Sequence, residues 1–106
     1  MPNSDLYEVR ILSRAEKNLD DLRSHRDYAV RELLKLESNP TLGHVLSGSL
    51  RGARALSFNL KGGGAYRAVY TILDQDHVCI VFLVGPHENI YKKAERRWEA
   101  IKRTLD

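Results

Sequence analysis

The run from Val78 to Val84, Val-Cys-Ile-Val-Phe-Leu-Val, constrains this chain more than any other feature. Seven consecutive apolar residues leave no polar face, so a strand built from them has to be covered on both sides. They are far short of the roughly 18 apolar residues that a membrane-spanning helix needs. Turn residues bound the run, Asp74 to His77 before it and Gly85-Pro86 after it. The expectation is the central strand of a sheet buried on both faces.

The rest of the chain supplies what surrounds that strand. Leu6 to Leu12 alternates, with Tyr7, Val9 and Ile11 against Glu8 and Arg10, and predicts a strand. Ser13-Arg14-Ala15-Glu16 has the spacing of a capping box, in which Ser13 covers free N–H groups and Glu16 reaches back. Ala15, Leu19 and Leu22 follow at helical intervals. Val30, Leu33, Leu34 and Glu37 mark a second helix that stops at Asn39-Pro40, because proline disfavours helix in the residue before it. Leu42 to Gly52 holds three glycines and two serines and reads as a loop.

Leu56, Phe58 and Leu60 then alternate with Ser57, Asn59 and Lys61, and Gly62-Gly63-Gly64 reads as a hairpin turn. Ala65 to Leu73 returns as a strand, with Tyr66, Ala68, Tyr70 and Ile72 on one face and Arg67, Val69 and Thr71 on the other. A last helix starts near Asn89, with Ile90, Ala94, Trp98, Ile101 and Leu105 along one stripe. The order β-α-α-β-β-β-α predicts a single α+β domain over residues 1–106. Its parts are a mainly antiparallel twisted sheet, an N-terminal helical hairpin and a C-terminal helix.

Charge is unevenly spread. Residues 1–42 carry seven Lys/Arg and eight Asp/Glu; residues 43–106 carry ten and six. No acidic residue lies between Glu37 and Asp74, where Arg51, Arg54, Lys61 and Arg67 all fall. Such a stretch suits a polyanion site, although solvated surface charge gives the same pattern. The single cysteine, Cys79, lies in the apolar run, so neither an internal disulfide nor a multi-cysteine metal site is expected. No signal peptide or membrane segment is expected either, and a cytoplasmic location is the simplest reading.

Four segments carry a resemblance to a known family. They are Asn39-Pro40-Thr41-Leu42-Gly43, Leu50-Arg51-Gly52, Ala65-Tyr66-Arg67-Ala68-Val69-Tyr70, and Val84-Gly85-Pro86-His87-Glu88-Asn89-Ile90-Tyr91. In this order and spacing the chain resembles the RelE/ParE superfamily of type II toxin–antitoxin systems, over nearly its whole length. The resemblance implies a toxin held inactive by a cognate antitoxin. It implies one of two activities, cleavage of mRNA, in many members at the ribosomal A site, or poisoning of DNA gyrase. The segment from Gly85 to Tyr91 is more similar to the nuclease branch. A degenerate member that only binds its antitoxin and co-represses transcription is a third possibility.

Cleaving RNA without a metal or other cofactor requires charge on the phosphate to be stabilised and protons to be moved. The resemblance places Arg67 on the family's catalytic arginine, and guanidinium offers a planar fork that matches phosphate. A structural ion pair is the plainer alternative. His87 follows the apolar strand; histidine, with an unperturbed pKa of about 6.5, serves as acid or base near neutrality. A helix-capping role competes. Tyr91, four residues on, is placed to orient substrate or to pack in the core. Arg51, Arg54 and Lys61 are the expected RNA-binding residues. The family's two lysines on the strand before the glycine turn are replaced here by Ser57 and Asn59. His25, His44 and His77 fall in turns or loops and carry no expectation, and no metal site is expected.

Overall fold

The computed structural model describes residues 6–105. The first strand, β1 (Glu8–Ile11), leads into helix α1 (Ser13–Asp20), which buries Ala15 and Leu19. The expected capping box does not form, because Ser13 is already helical and Leu12 stands at the N-cap. Glu16 instead joins Asp20 in holding Arg26, at 3.3 and 2.8 Å, so the carboxylate tethers α1 to the next helix. That helix, α2 (Arg26–Leu34), buries Ala29 and Leu33, and a short turn of 3₁₀ helix adds Leu36. The helical path ends before Pro40.

The segment read as a loop contains a short strand, β2 (His44–Val45). Strands β3 (Arg54–Leu60), β4 (Gly64–Leu73) and β5 (Val78–Pro86) follow, and helix α3 (Ile90–Leu105) completes the described chain. The five-stranded sheet has the order β1-β5-β4-β3-β2, antiparallel except for the parallel pair β1–β5. The apolar strand β5 is interior, as its composition requires, while the middle position belongs to β4.

A β-bulge explains how β5 stays apolar throughout. Val69 pairs with Leu83 but Tyr70 pairs with Val81, which leaves Phe82 as an extra residue. Phe82 and Leu83 therefore both turn toward α3, packing with Val69, Leu50, Ile90, Ala94 and Trp98. Cys79, Val81 and Val84 turn the other way, against Ala15, Leu19, Ala29, Leu33 and Leu36 of the helical hairpin. Burial of Cys79 pushes its thiol up to about 11, in keeping with packing rather than reactivity. Phe82 and Trp98 stack with centroids 5.6 Å apart, and Trp98 Nε1 donates to the Arg51 carbonyl at 3.2 Å. These contacts set the angle at which α3 crosses the sheet. No helix among the described residues is long and apolar enough to cross a membrane.

Candidate active site

Alternation along β4 sends Arg67 to the α3 side of the sheet while Ala68 and Tyr70 enter the opposite core. Its ladder partners are small, Ser57 on β3 and Gly85 on β5, so nothing bulky blocks its path across the strands. The Nε–H donates to Nδ1 of His87 at 2.9 Å. In this pairing His87 Nδ1 is the acceptor. The backbone fixes that ring, since the His87 N–H donates to the Ala65 carbonyl at 2.9 Å and prolongs the β4–β5 pairing past Pro86. Asn89, at φ 62°, then turns the chain into α3. Asparagine tolerates this left-handed geometry better than most residues. Tyr91 follows in the first turn, its ring centroid 5.8 Å from the Arg67 guanidinium carbon, within cation–π reach.

At the other end of the guanidinium, Nη1 lies 3.5 Å from Nε2 of His44. Nothing in the sequence singled out this histidine, because a two-residue strand has no periodicity to read. Its position comes from the sheet. The Tyr70 hydroxyl, buried in the opposite core, donates to the Pro40 carbonyl at 2.6 Å and accepts the Gly43 N–H at 2.9 Å. Arg54 Nη1 donates to the carbonyls of Gly43 at 2.7 Å and Thr41 at 3.3 Å. Gly43 must be glycine here, since a Cβ would stand 2.7 Å from the Tyr70 ring and 2.8 Å from the Ala55 carbonyl. Burial raises the Tyr70 pKa, with the Gly43 N–H and Arg54 pulling the other way, so it acts as a neutral hydroxyl.

Arg67, His87 and Tyr91 therefore meet, and His44 joins them. The expected RNA-binding residues do not. Arg54 is spent on backbone carbonyls and, with Arg51, lines a separate hollow that also includes Ile72 and Asp74. Lys61 projects from the hairpin turn beside His25 and Tyr28. Ser57 and Asn59 do lie on the Arg67 face, opposite Arg67 and Ala65, and add no charge there. Among the described residues no carboxylate pairs with Arg67. No group of three or more His, Cys, Asp or Glu side chains among them is arranged to hold a metal.

Residues 6–95 match the family described as the ParE-like toxin of type II bacterial toxin–antitoxin systems. The chain belongs to that family of toxins. The solved structures similar to this ParE-like toxin include one from the RelBE2 toxin–antitoxin complex of Mycobacterium tuberculosis. Identity to it is 26%, with 77% of this chain and 99% of that one covered and a TM-score of 0.65. A double arginine-to-alanine variant of the E. coli toxin RelE in the free state is 24% identical. There the coverage is 87% and 97%, with a TM-score of 0.69. The intact E. coli RelBE toxin–antitoxin complex also matches at 24% identity, over 78% and 99%, with a TM-score of 0.60. No curated protein matches the sequence significantly. The fold expected from the sequence and the RelE/ParE assignment both stand.

Proposed function

We propose that this toxin is an endoribonuclease that cleaves mRNA and so inhibits translation, and that a cognate antitoxin holds it inactive. One observation carries the reading: an arginine without a carboxylate partner, bracketed by two imidazoles and set beside a tyrosine ring. A phosphodiester oxygen pair would take the guanidinium fork and free His87 Nδ1. One imidazole then accepts the proton of the ribose 2′-OH as that oxygen attacks phosphorus. The other, protonated, gives its proton to the 5′ oxygen as the P–O bond breaks, leaving a 2′,3′-cyclic phosphate. Arg67 stabilises the charge that builds on the phosphate, and Tyr91 stacks on or orients the adjoining nucleotide. These groups supply every proton and charge in the step, so no metal is called on.

Two imidazoles also answer the departure at Ser57 and Asn59. The family lysines would add charge, whereas here proton transfer falls to His44 and His87. Support for an antitoxin comes from the family match and from the similar chains solved as toxin–antitoxin complexes. The substrate we expect is mRNA in the cytoplasm, either free or in the ribosomal A site.

The deciding experiment induces the toxin alone and maps mRNA 5′ ends and DNA breakage in the same cells, with Arg67→Ala and His87→Gln alongside. Cleavage within messages, lost in both variants, is the expected result. DNA breakage with intact messages, or full toxicity of both folded variants, overturns the nuclease reading in favour of gyrase.

A further inference from the structure

A pocket of about 250 Å³ adjoins the loop that carries His87. It exists because the sheet runs short. Pairing of β1 with β5 ends at Ile11 and Val81, so the last residues of β5 have no strand beside them on that edge. Side chains take the place of the missing strand. The Val84 N–H donates to Asn18 Oδ1 at 3.1 Å, and Arg97 Nη1 donates to the same oxygen at 3.2 Å and to the Phe82 carbonyl at 2.9 Å. Pro86 and Glu88, the chain neighbours of His87, line the pocket with Asn18, Asp21, Tyr66 and Lys93, among others.

These contacts fix the Asn18 amide. A backbone N–H and a guanidinium only donate, so the atom they share is the oxygen, and the NH₂ group has no partner among the described residues. Asp21 stands three residues on, at the C-cap of α1 with helical backbone angles, and so lies on the same side of the helix. Neither Asp21 nor Lys93 is in an ion pair among the described residues. The pocket thus sets amide donors beside a carboxylate that, ionised, only accepts. Tyr66, its ring stacked on Phe58 with centroids 6.2 Å apart, adds an aromatic wall.

We propose that this pocket reads guanine in the RNA, at a nucleotide next to the scissile phosphate. The substrate rests on the nuclease reading above; the choice of base rests on the pocket. Guanine presents N1–H and its 2-amino group side by side, which matches the two oxygens of Asp21, and next to them O6, which matches the Asn18 NH₂. Adenine and cytosine offer one amine there, and uracil one N–H. The base lies against the Tyr66 ring while Lys93 meets a phosphate of the same strand. At about 250 Å³ the pocket is below the roughly 300–1,000 Å³ of sites for drug-sized ligands, which suits one planar base. Pro86 and Glu88 each stand one Cα step, about 3.8 Å, from His87, so an adjoining nucleotide reaches it.

The test uses the full-length protein and fluorescein-labelled 2′-O-methyl hexauridylates, which cannot be cut because the attacking hydroxyl is blocked. Each carries a single guanine, moved through the positions of the series, with inosine and adenine counterparts; inosine lacks only the 2-amino group. At one position guanine is expected to bind about tenfold more tightly than inosine or adenine. Asp21→Asn, checked for folding by circular dichroism, should bring guanine down to the inosine level. Lys93→Ala and Arg67→Ala should weaken all the oligomers alike and keep the preference. In cells, guanine should recur at one fixed position beside the mapped cuts and lose that place with Asp21→Asn.

A wild type that binds guanine, inosine and adenine equally at every position overturns the proposal. So does a guanine preference that survives in folded Asp21→Asn, or one that disappears in Arg67→Ala instead, which would put base reading at the guanidinium. Guanine preference in a wild type that cuts no RNA supports the pocket and defeats the nuclease reading alone. Cleavage without any guanine preference does the reverse.

Discussion

On the face beneath the helical hairpin, β3 and β4 bury Leu56, Phe58, Ala68 and Tyr70 against α1 and α2. On the other face the same two strands present Ala55, Ser57, Asn59 and Arg67, and α3 covers the sheet mainly over Val69, Phe82 and Leu83. A single alternating strand thus serves both faces, with Ala68 and Tyr70 committed to the hairpin core and Arg67, just before them, on the opposite face without a carboxylate partner among the described residues. Side chains on the hairpin face are fixed by packing. Those on the open end of the α3 face are fixed by hydrogen bonds to one another, and so respond to a ligand.

Breaking the hairpin face should have the largest effect. Leu33 is fully buried between α2 and the sheet. Leu33→Ala is expected to lower stability by about 2–5 kcal/mol, the usual range for such a cavity, and to lose RNA cleavage and partner binding together. Urea titration against the wild type measures it. On the open face the prediction reverses. Arg67→Ala should change stability by no more than about 0.5 kcal/mol and reduce single-turnover RNA cleavage by about 10²-fold or more. A large stability loss with Arg67→Ala would mean that the two faces are not separable.

The sequence made the hairpin face legible because its signals are local and periodic: the alternation of β3 and β4, the helical spacing of Ala15 and Leu19, and the two-sided apolar run of β5. Two features were hidden for a physical reason. The capping box at Ser13 had the right spacing, but the helix begins one residue early, with Leu12 at the N-cap, and Glu16 lies against Arg26, ten residues away in sequence and adjacent in the hairpin. His44 was hidden more deeply, since its placement depends on Tyr70, twenty-seven residues from Gly43, and on Arg54. Arg67, His87 and Tyr91 were legible through the family resemblance, not through spacing, which placed them on two different elements and a loop.

That dependence predicts an intermediate effect that crosses the sheet. Tyr70→Phe removes the donor to the Pro40 carbonyl and the acceptor of the Gly43 N–H in one step. A buried group left unpaired costs about 1–3 kcal/mol, so thermal denaturation should detect it. Cleavage should also fall while Arg67 and His87 stay in place, because His44 loses its anchor. His44→Gln separates the two consequences: stability stays at the wild-type level and one limb of the pH–rate profile disappears. His87→Gln should remove the opposite limb. A profile that keeps both limbs in His44→Gln takes that residue out of the proton transfer.

The smallest expected effect concerns the basic residues that the structure leaves outside the site. Each phosphate contact contributes about 0.7 to the slope of log affinity against log salt for a single strand. Arg67→Ala should therefore reduce that slope by about 0.7 with a short oligoribonucleotide. Lys61 stands at the hairpin turn against His25 and Tyr28, on the helical-hairpin side. Lys61→Ala should leave both the slope and the cleavage rate at their wild-type values. Equal slope reductions in the two variants would show that the RNA path runs off the α3 face and around the glycine turn. The boundary between the packed face and the open one would then lie at the end of β3, where Ser57 and Asn59 lead toward that turn.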